Sequence, residues 1–130
     1  MTKPKKIIYP NQESIHKKIV SHLKSILPKE VSKAYIIGSL TKREFGKYES
    51  TYQEHGGSDI DVIAIIDHNR IPKEWKNLNT SKIWWDLYRI GELTINKTIH
   101  KIDCMVVKKG KEHYPKKRAK ELNWKIEEVK

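Results

Sequence analysis

The chain carries 27 Lys and Arg against 16 Asp and Glu in 130 residues, a formal net charge of +11. That length suits one compact domain, read as residues 1–130, and is too short for two ordinary ones. The charge favours an anionic partner, whether nucleotide, nucleic acid or acidic protein surface, without choosing among them, and it suits plain solubility equally well.

The first predicted element is an amphipathic helix over about residues 11–27. Ile15, Ile19, Leu23, Ile26 and Leu27 recur at helical spacing, Lys17, Lys18, His22 and Lys24 fall elsewhere, Asn11 stands at the N-cap, and Pro28 stops the pattern. A strand follows at about Lys33–Ile37, and at Gly38-Ser39 the chain is expected to turn into a short helix reaching about Phe45. Glycine permits close backbone approach to a phosphate, the helix start presents unpaired N–H groups, and Ser39 adds a hydroxyl donor. Lys42 and Arg43 lie about one turn further on, where a cation either meets outer phosphates or faces solvent. Residues 47–57 show no period and read as a flexible loop or a short hairpin, placed to act as a lid. His55 within them reads as an ordinary loop histidine rather than an acid or base.

Asp59 and Asp61 then stand two residues apart in an apolar strand, Asp59–Ile66, so they project from one face. Unpaired carboxylates in such a strand are costly, and a divalent cation turns their repulsion into coordination. Mg2+ suits carboxylate and phosphate oxygens, with Mn2+ as a substitute. After a turn, Pro72 is expected to open a short helix, and residues 81–90 read as either a helix or an aromatic-rich strand. Trp84, Trp85 and Tyr88 read mainly as core, with one exposed ring able to stack on a base. A strand over Thr98–Val107 carries a lone Asp103 beside Cys104, which reads as packed core. Pro115 begins a last helix, about 115–129, with Ala119, Leu122, Ile126 and Val129 as a thin apolar stripe. Lys116, Lys117 and Arg118 at its start suit an external anion or solvent.

Gly38-Ser39, then Ser58 followed by the Asp59 and Asp61 pair, then Asp103 on a later strand, resemble in that order the DNA polymerase β-like nucleotidyltransferase superfamily. The resemblance spans about residues 32–107 and is to the minimal members, with a longer Leu40–Ser58 connection than many of them have. It implies an α/β (α+β) fold with a small mixed, mostly antiparallel sheet and helices packed largely on one face. It also implies that Asp59, Asp61 and Asp103 are catalytic and hold Mg2+, with Asp103 nearest the attacking hydroxyl as general base or metal anchor. Gly38, Ser39, Lys42 and Ser58 are the implied nucleotide-binding residues.

The activity so implied is transfer of a nucleoside monophosphate from an NTP, with ATP the expected donor, to a hydroxyl on a protein, RNA or small molecule. The alternative is an antitoxin-like minimal nucleotidyltransferase that acts chiefly by binding a helical HEPN-type toxin. A chain this small is expected to need a helical partner subunit or a second copy of itself, because in-line transfer requires the acceptor to be held. No apolar run approaches a membrane span, the segment after Met1 lacks the apolar stretch of a secretory signal, and the single cysteine allows no internal disulfide. The expectation is a cytoplasmic protein with no membrane partner.

Overall fold

In the computed structural model, which describes residues 3–130, the apolar segments resolve into nine strands and two helices. In chain order these are β1 (Lys6–Ile8), α1 (Gln12–Ile26), β2 (Lys33–Ile37), β3 (Gly46–Tyr52), β4 (His55–Gly57) and β5 (Ile60–Ile65). They continue as β6 (Lys76–Ser81), β7 (Trp85–Ile95), β8 (Thr98–Val107), α2 (Tyr114–Leu122) and β9 (Glu127–Glu128). A six-stranded sheet runs β6-β7-β8-β5-β2-β9, and a three-stranded sheet runs β1-β3-β4. In the larger sheet β5 and β8 are parallel while β6–β7, β7–β8, β2–β5 and β2–β9 are antiparallel, so the mixed, mostly antiparallel sheet is as expected. No helix among the described residues is long and apolar enough to cross a membrane.

Period-two alternation divides the sheet into two faces. Ile36, Val62, Ala64, Ile102, Cys104 and Val106 point into one cluster, which Ile15, Ile19 and Leu23 of α1 close. Ile19 and Leu23 have no exposed surface, so truncation of either to Ala is expected to cost about 2–5 kcal/mol. Tyr35, Ile63, Trp84 and Val107 form a second cluster on the opposite face, against which Tyr114 of α2 and Trp124 pack. The expectation of helices largely on one face therefore holds for α1 only. α1 itself begins after Asn11, whose side chain makes no capping bond; the Gln12 amide ties the helix start to the carbonyls of Tyr9 and Phe45, both at 2.7 Å.

Several local readings are corrected. After β2 no helix reaches Phe45: Gly38–Leu40 forms one 3-10 turn, with Gly38 at φ +82°. Arg43 also takes a positive φ, of 59°, and its guanidinium binds Glu13 of α1 and Glu127 of β9, stapling the turn instead of continuing a helix. Residues 47–57 take the hairpin alternative, as β3 and β4, with Gln53 and Glu54 both at positive φ in the two-residue turn. Pro72 starts a turn that ends at Trp75, and residues 81–90 take the strand alternative, as the end of β6 and most of β7. The last helix stops at Leu122 because Asn123 enters the left-handed region at φ 55°. The chain then pairs as β9 on the edge of β2, so Ile126 and Val129 are not on a helical stripe and Leu122 is exposed.

Candidate active site

Strand pairing decides which carboxylates meet. Along the parallel β5–β8 junction Asp61 is the register partner of Asp103, and in the antiparallel β2–β5 pair Ile37, next to Gly38, is the partner of Asp61. Both aspartates share the sheet face of Ile63 and Met105, opposite α1. Asp59 sits one residue before β5 and lies close enough to Asp103 for their charges to interact. The three predicted carboxylates thus converge at one end of this face.

Their partners differ. Asp59 Oδ1 lies 2.8 Å from His55 Nδ1, and the two oxygens of Asp103 accept from Arg89 Nε at 2.8 Å and from its terminal nitrogen at 3.4 Å. Arg89 reaches it because β7 places it directly opposite Asp103. Among the described residues no donor reaches Asp61. Burial, then the neighbouring charges of Asp59 and Asp103, push the Asp61 carboxyl up to about 7. Burial also raises Asp59, an effect that His55 opposes by charge and hydrogen bond. Gly38 backs onto Asp61 so closely that a Cβ there would stand 3.0 Å from Oδ2. Here the glycine serves the carboxylate as well as the turn.

The phosphate-binding expectations separate. Lys42 is exposed and lines a cleft of ≈240 Å3 with Ile37, Gly38, Trp124 and Lys125, beside the carboxylates. Ser39 is partly exposed in the same turn. Only a three-residue 3-10 turn stands at this point, in place of the expected helix start. Ser58 is buried, its hydroxyl accepts from the Gly46 amide at 3.2 Å, and its carbonyl accepts from His100 Nδ1 at 2.7 Å. That side chain holds the backbone at Gly46. Cys104 is fully buried, which pushes its thiol up and fits the core reading.

Among the described residues no three His, Cys, Asp or Glu side chains form a ready-made metal cage, and Asp59 and Asp103 are engaged by His55 and Arg89. The donor set still fits a divalent cation on one observation: Asp61 is an unpartnered carboxylate held against two more, an arrangement that favours the proton or a cation. His55 and Arg89 are the site residues that sequence reasoning missed. Arg89 stood in a segment whose period was ambiguous, and the register that aims it at Asp103 is a tertiary fact. A cavity of ≈490 Å3 near Asp67, His68, Lys109 and Glu112 lies past the opposite end of β5 and shares none of these residues. No family model, curated protein or solved structure matches the chain.

Proposed function

We propose that the protein is a metal-dependent nucleotidyltransferase that moves a nucleoside monophosphate from an NTP, with ATP the expected donor, to a hydroxyl acceptor. The observation that carries this reading is the convergence of Asp59, Asp61 and Asp103 on the sheet face opposite α1, next to the Gly38 turn. Asp59 and Asp61 would hold the cation, joined by Asp103 when Arg89 releases it. A bound divalent cation supplies charge neutralisation for the triphosphate and activation of the acceptor hydroxyl.

The chain's own groups account for the rest. Lys42 and Lys125, flanking the Gly38 cleft, offer positive charge to the phosphates. In the transfer the acceptor oxygen forms a bond to the α-phosphorus, the bond from that phosphorus to its bridging oxygen breaks, and pyrophosphate leaves with the electron pair. The hydroxyl proton passes to a carboxylate. On this reading Asp103 takes it, through Oδ2, which Arg89 holds only at 3.4 Å.

A second reading has one observation in its favour. The Arg89 clamp neutralises the third carboxylate, as suits a domain that binds a partner, in the manner of an antitoxin-like minimal nucleotidyltransferase, more than it turns over. Incubation with ATP labelled at the α-phosphate, Mg2+ and candidate acceptors separates the two. Label incorporation with stoichiometric pyrophosphate release, lost in Asp61→Asn, supports transfer. Tight Mg–ATP binding without release across protein, RNA and small-molecule acceptors would leave only the binding module.

A further inference from the structure

Beyond the carboxylates, the same sheet face continues along β7 toward an aromatic and basic groove. From Arg89 back to Trp85 is four residues, roughly 13 Å of strand, with Leu87 and Met105 paired between and partly exposed. The groove has a volume of ≈560 Å3, and its walls include Lys82, Ile83, Trp85, Lys117, Arg118 and Trp124. Ile83 is 77% exposed, and Trp85 and Trp124 are partly exposed. Trp124 is also a wall of the Gly38 cleft, so the groove and the cleft beside Asp61 share one indole ring.

Charge is concentrated here. Residues 108–125 hold eight of the 27 Lys and Arg but two of the 16 Asp and Glu, and one of those two, Glu121, is bound to Arg118 at 2.9 Å. Cations and rings interleave: the Lys111 and Lys117 ammonium groups lie 5.6 Å and 5.5 Å from the centroid of the Tyr114 ring, which itself stacks on Trp84. Alternating positive charge and flat apolar faces match a strand of alternating phosphates and bases. An acidic amphipathic helix would satisfy the charge, but it would need a wide aliphatic stripe to receive it, and the groove offers only Ile83 and Leu122 as aliphatic contacts among the residues that line it.

We propose that this groove binds single-stranded nucleic acid and leads its terminal hydroxyl across Trp124 to the Asp61 and Asp103 end of the sheet. The inference deepens the nucleotidyltransferase reading and rests on it for the acceptor role, while binding in the groove stands independently. The terminal hydroxyl is the acceptor oxygen of the transfer already described, so the product is a strand longer by one nucleotide, with pyrophosphate as the other product.

Fluorescence anisotropy of end-labelled short RNA and DNA of matched sequence, without nucleotide or metal, tests binding apart from chemistry. Binding is expected to quench tryptophan emission and to weaken with salt at a log–log slope of about −2 to −3, for three or four neutralised phosphates. Trp124→Ala should weaken it about 10-fold by loss of stacking. Lys117→Glu, an exposed change that leaves the fold intact, should weaken it comparably, whereas Asp61→Asn should not. Preference between the RNA and DNA arms names the strand. Binding that neither Trp124→Ala nor Lys117→Glu alters, or capture of an acidic helical peptide with no oligonucleotide binding, overturns the proposal. Oligonucleotide binding without extension under Mg–NTP would keep the groove and reject the transfer reading.

Discussion

Asp61 and Asp103 face each other across the parallel β5–β8 junction, yet Asp103 is held by Arg89 and Asp61 by no donor among the described residues. The asymmetry makes Asp61 the stressed member of the cluster. One carboxylate is paired with a cation from within the protein, and the other has no such partner among the described residues.

The first consequence is a pH dependence of stability without metal. The folded Asp61 carboxyl sits at about 7 against 3.8 for the free group, so the folded state binds the extra proton between those values. Stability therefore falls as pH rises from near 4 to near 7 and is flat above, by about 1–3 kcal/mol. Asp61→Asn should remove that slope and melt later than the parent at about pH 8. His100 acts in the other direction, because burial lowers it from 6.5 and acid must force charge into the core. An acid arm should thus persist in Asp61→Asn, and thermal melts across the pH range check both. Parallel pH profiles for parent and variant would remove the claim that Asp61 is stressed.

Divalent cations should relieve the same stress. Mg2+ or Mn2+ should raise the melting temperature of the parent, by about 2.7 kcal/mol of stability at a hundredfold excess over Kd, and flatten its pH slope. Asp59→Asn and Asp61→Asn should each lose most of this response. Calorimetry that gives the same Mg2+ affinity for the parent and both variants argues against the carboxylates as ligands.

Arg89 should compete with the cation for Asp103. Arg89→Met leaves the Asp103 carboxylate, 12% exposed, without its partner and is expected to cost about 1–3 kcal/mol without metal. Millimolar Mg2+ should narrow that deficit and bind several-fold more tightly than to the parent. A deficit unchanged by Mg2+ would mean that Arg89 serves structure alone.

Two glycines offer a contrast in packing. A Cβ at Gly57 would stand 2.6 Å from the Gly46 carbonyl oxygen and 2.7 Å from the His100 ring, whereas one at Gly91 meets only Ile102 Cδ1 at 3.8 Å. Gly57→Ala should destabilise by about 1–3 kcal/mol and Gly91→Ala by less than about 0.5 kcal/mol, measured by urea unfolding.

What the sequence made legible follows local chemistry. The α1 stripe of Ile15, Ile19 and Leu23 and the alternation through Asp59, Asp61 and Asp103 are set by residues near in the chain, and both stand in the fold. The chain after Gly38 departs from the expected helix because the staple of Arg43 onto Glu13 and Glu127 joins residues 30 and 84 positions away. The early end of α2 turned on Asn123 taking a left-handed conformation, and β9 on an edge of β2 left open by chain topology. At the site, the three aspartates could be named in advance, but their unequal partnering through His55 and Arg89 could not, since register sets it.

Tyr9 joins the two ends of this design. Its hydroxyl lies 2.9 Å from His100 Nε2, and the opposite ring nitrogen lies 2.7 Å from the carbonyl of Ser58. A carbonyl only accepts, so Nδ1 carries the proton and Tyr9 donates to Nε2. Ser58 is the residue before Asp59, and β1 reaches the same place by pairing with β3, which pairs with β4. The segment from Lys6 to Tyr9 therefore braces the backbone just before the leading carboxylate, and a version trimmed just beyond Tyr9 would keep all three aspartates and lose that brace.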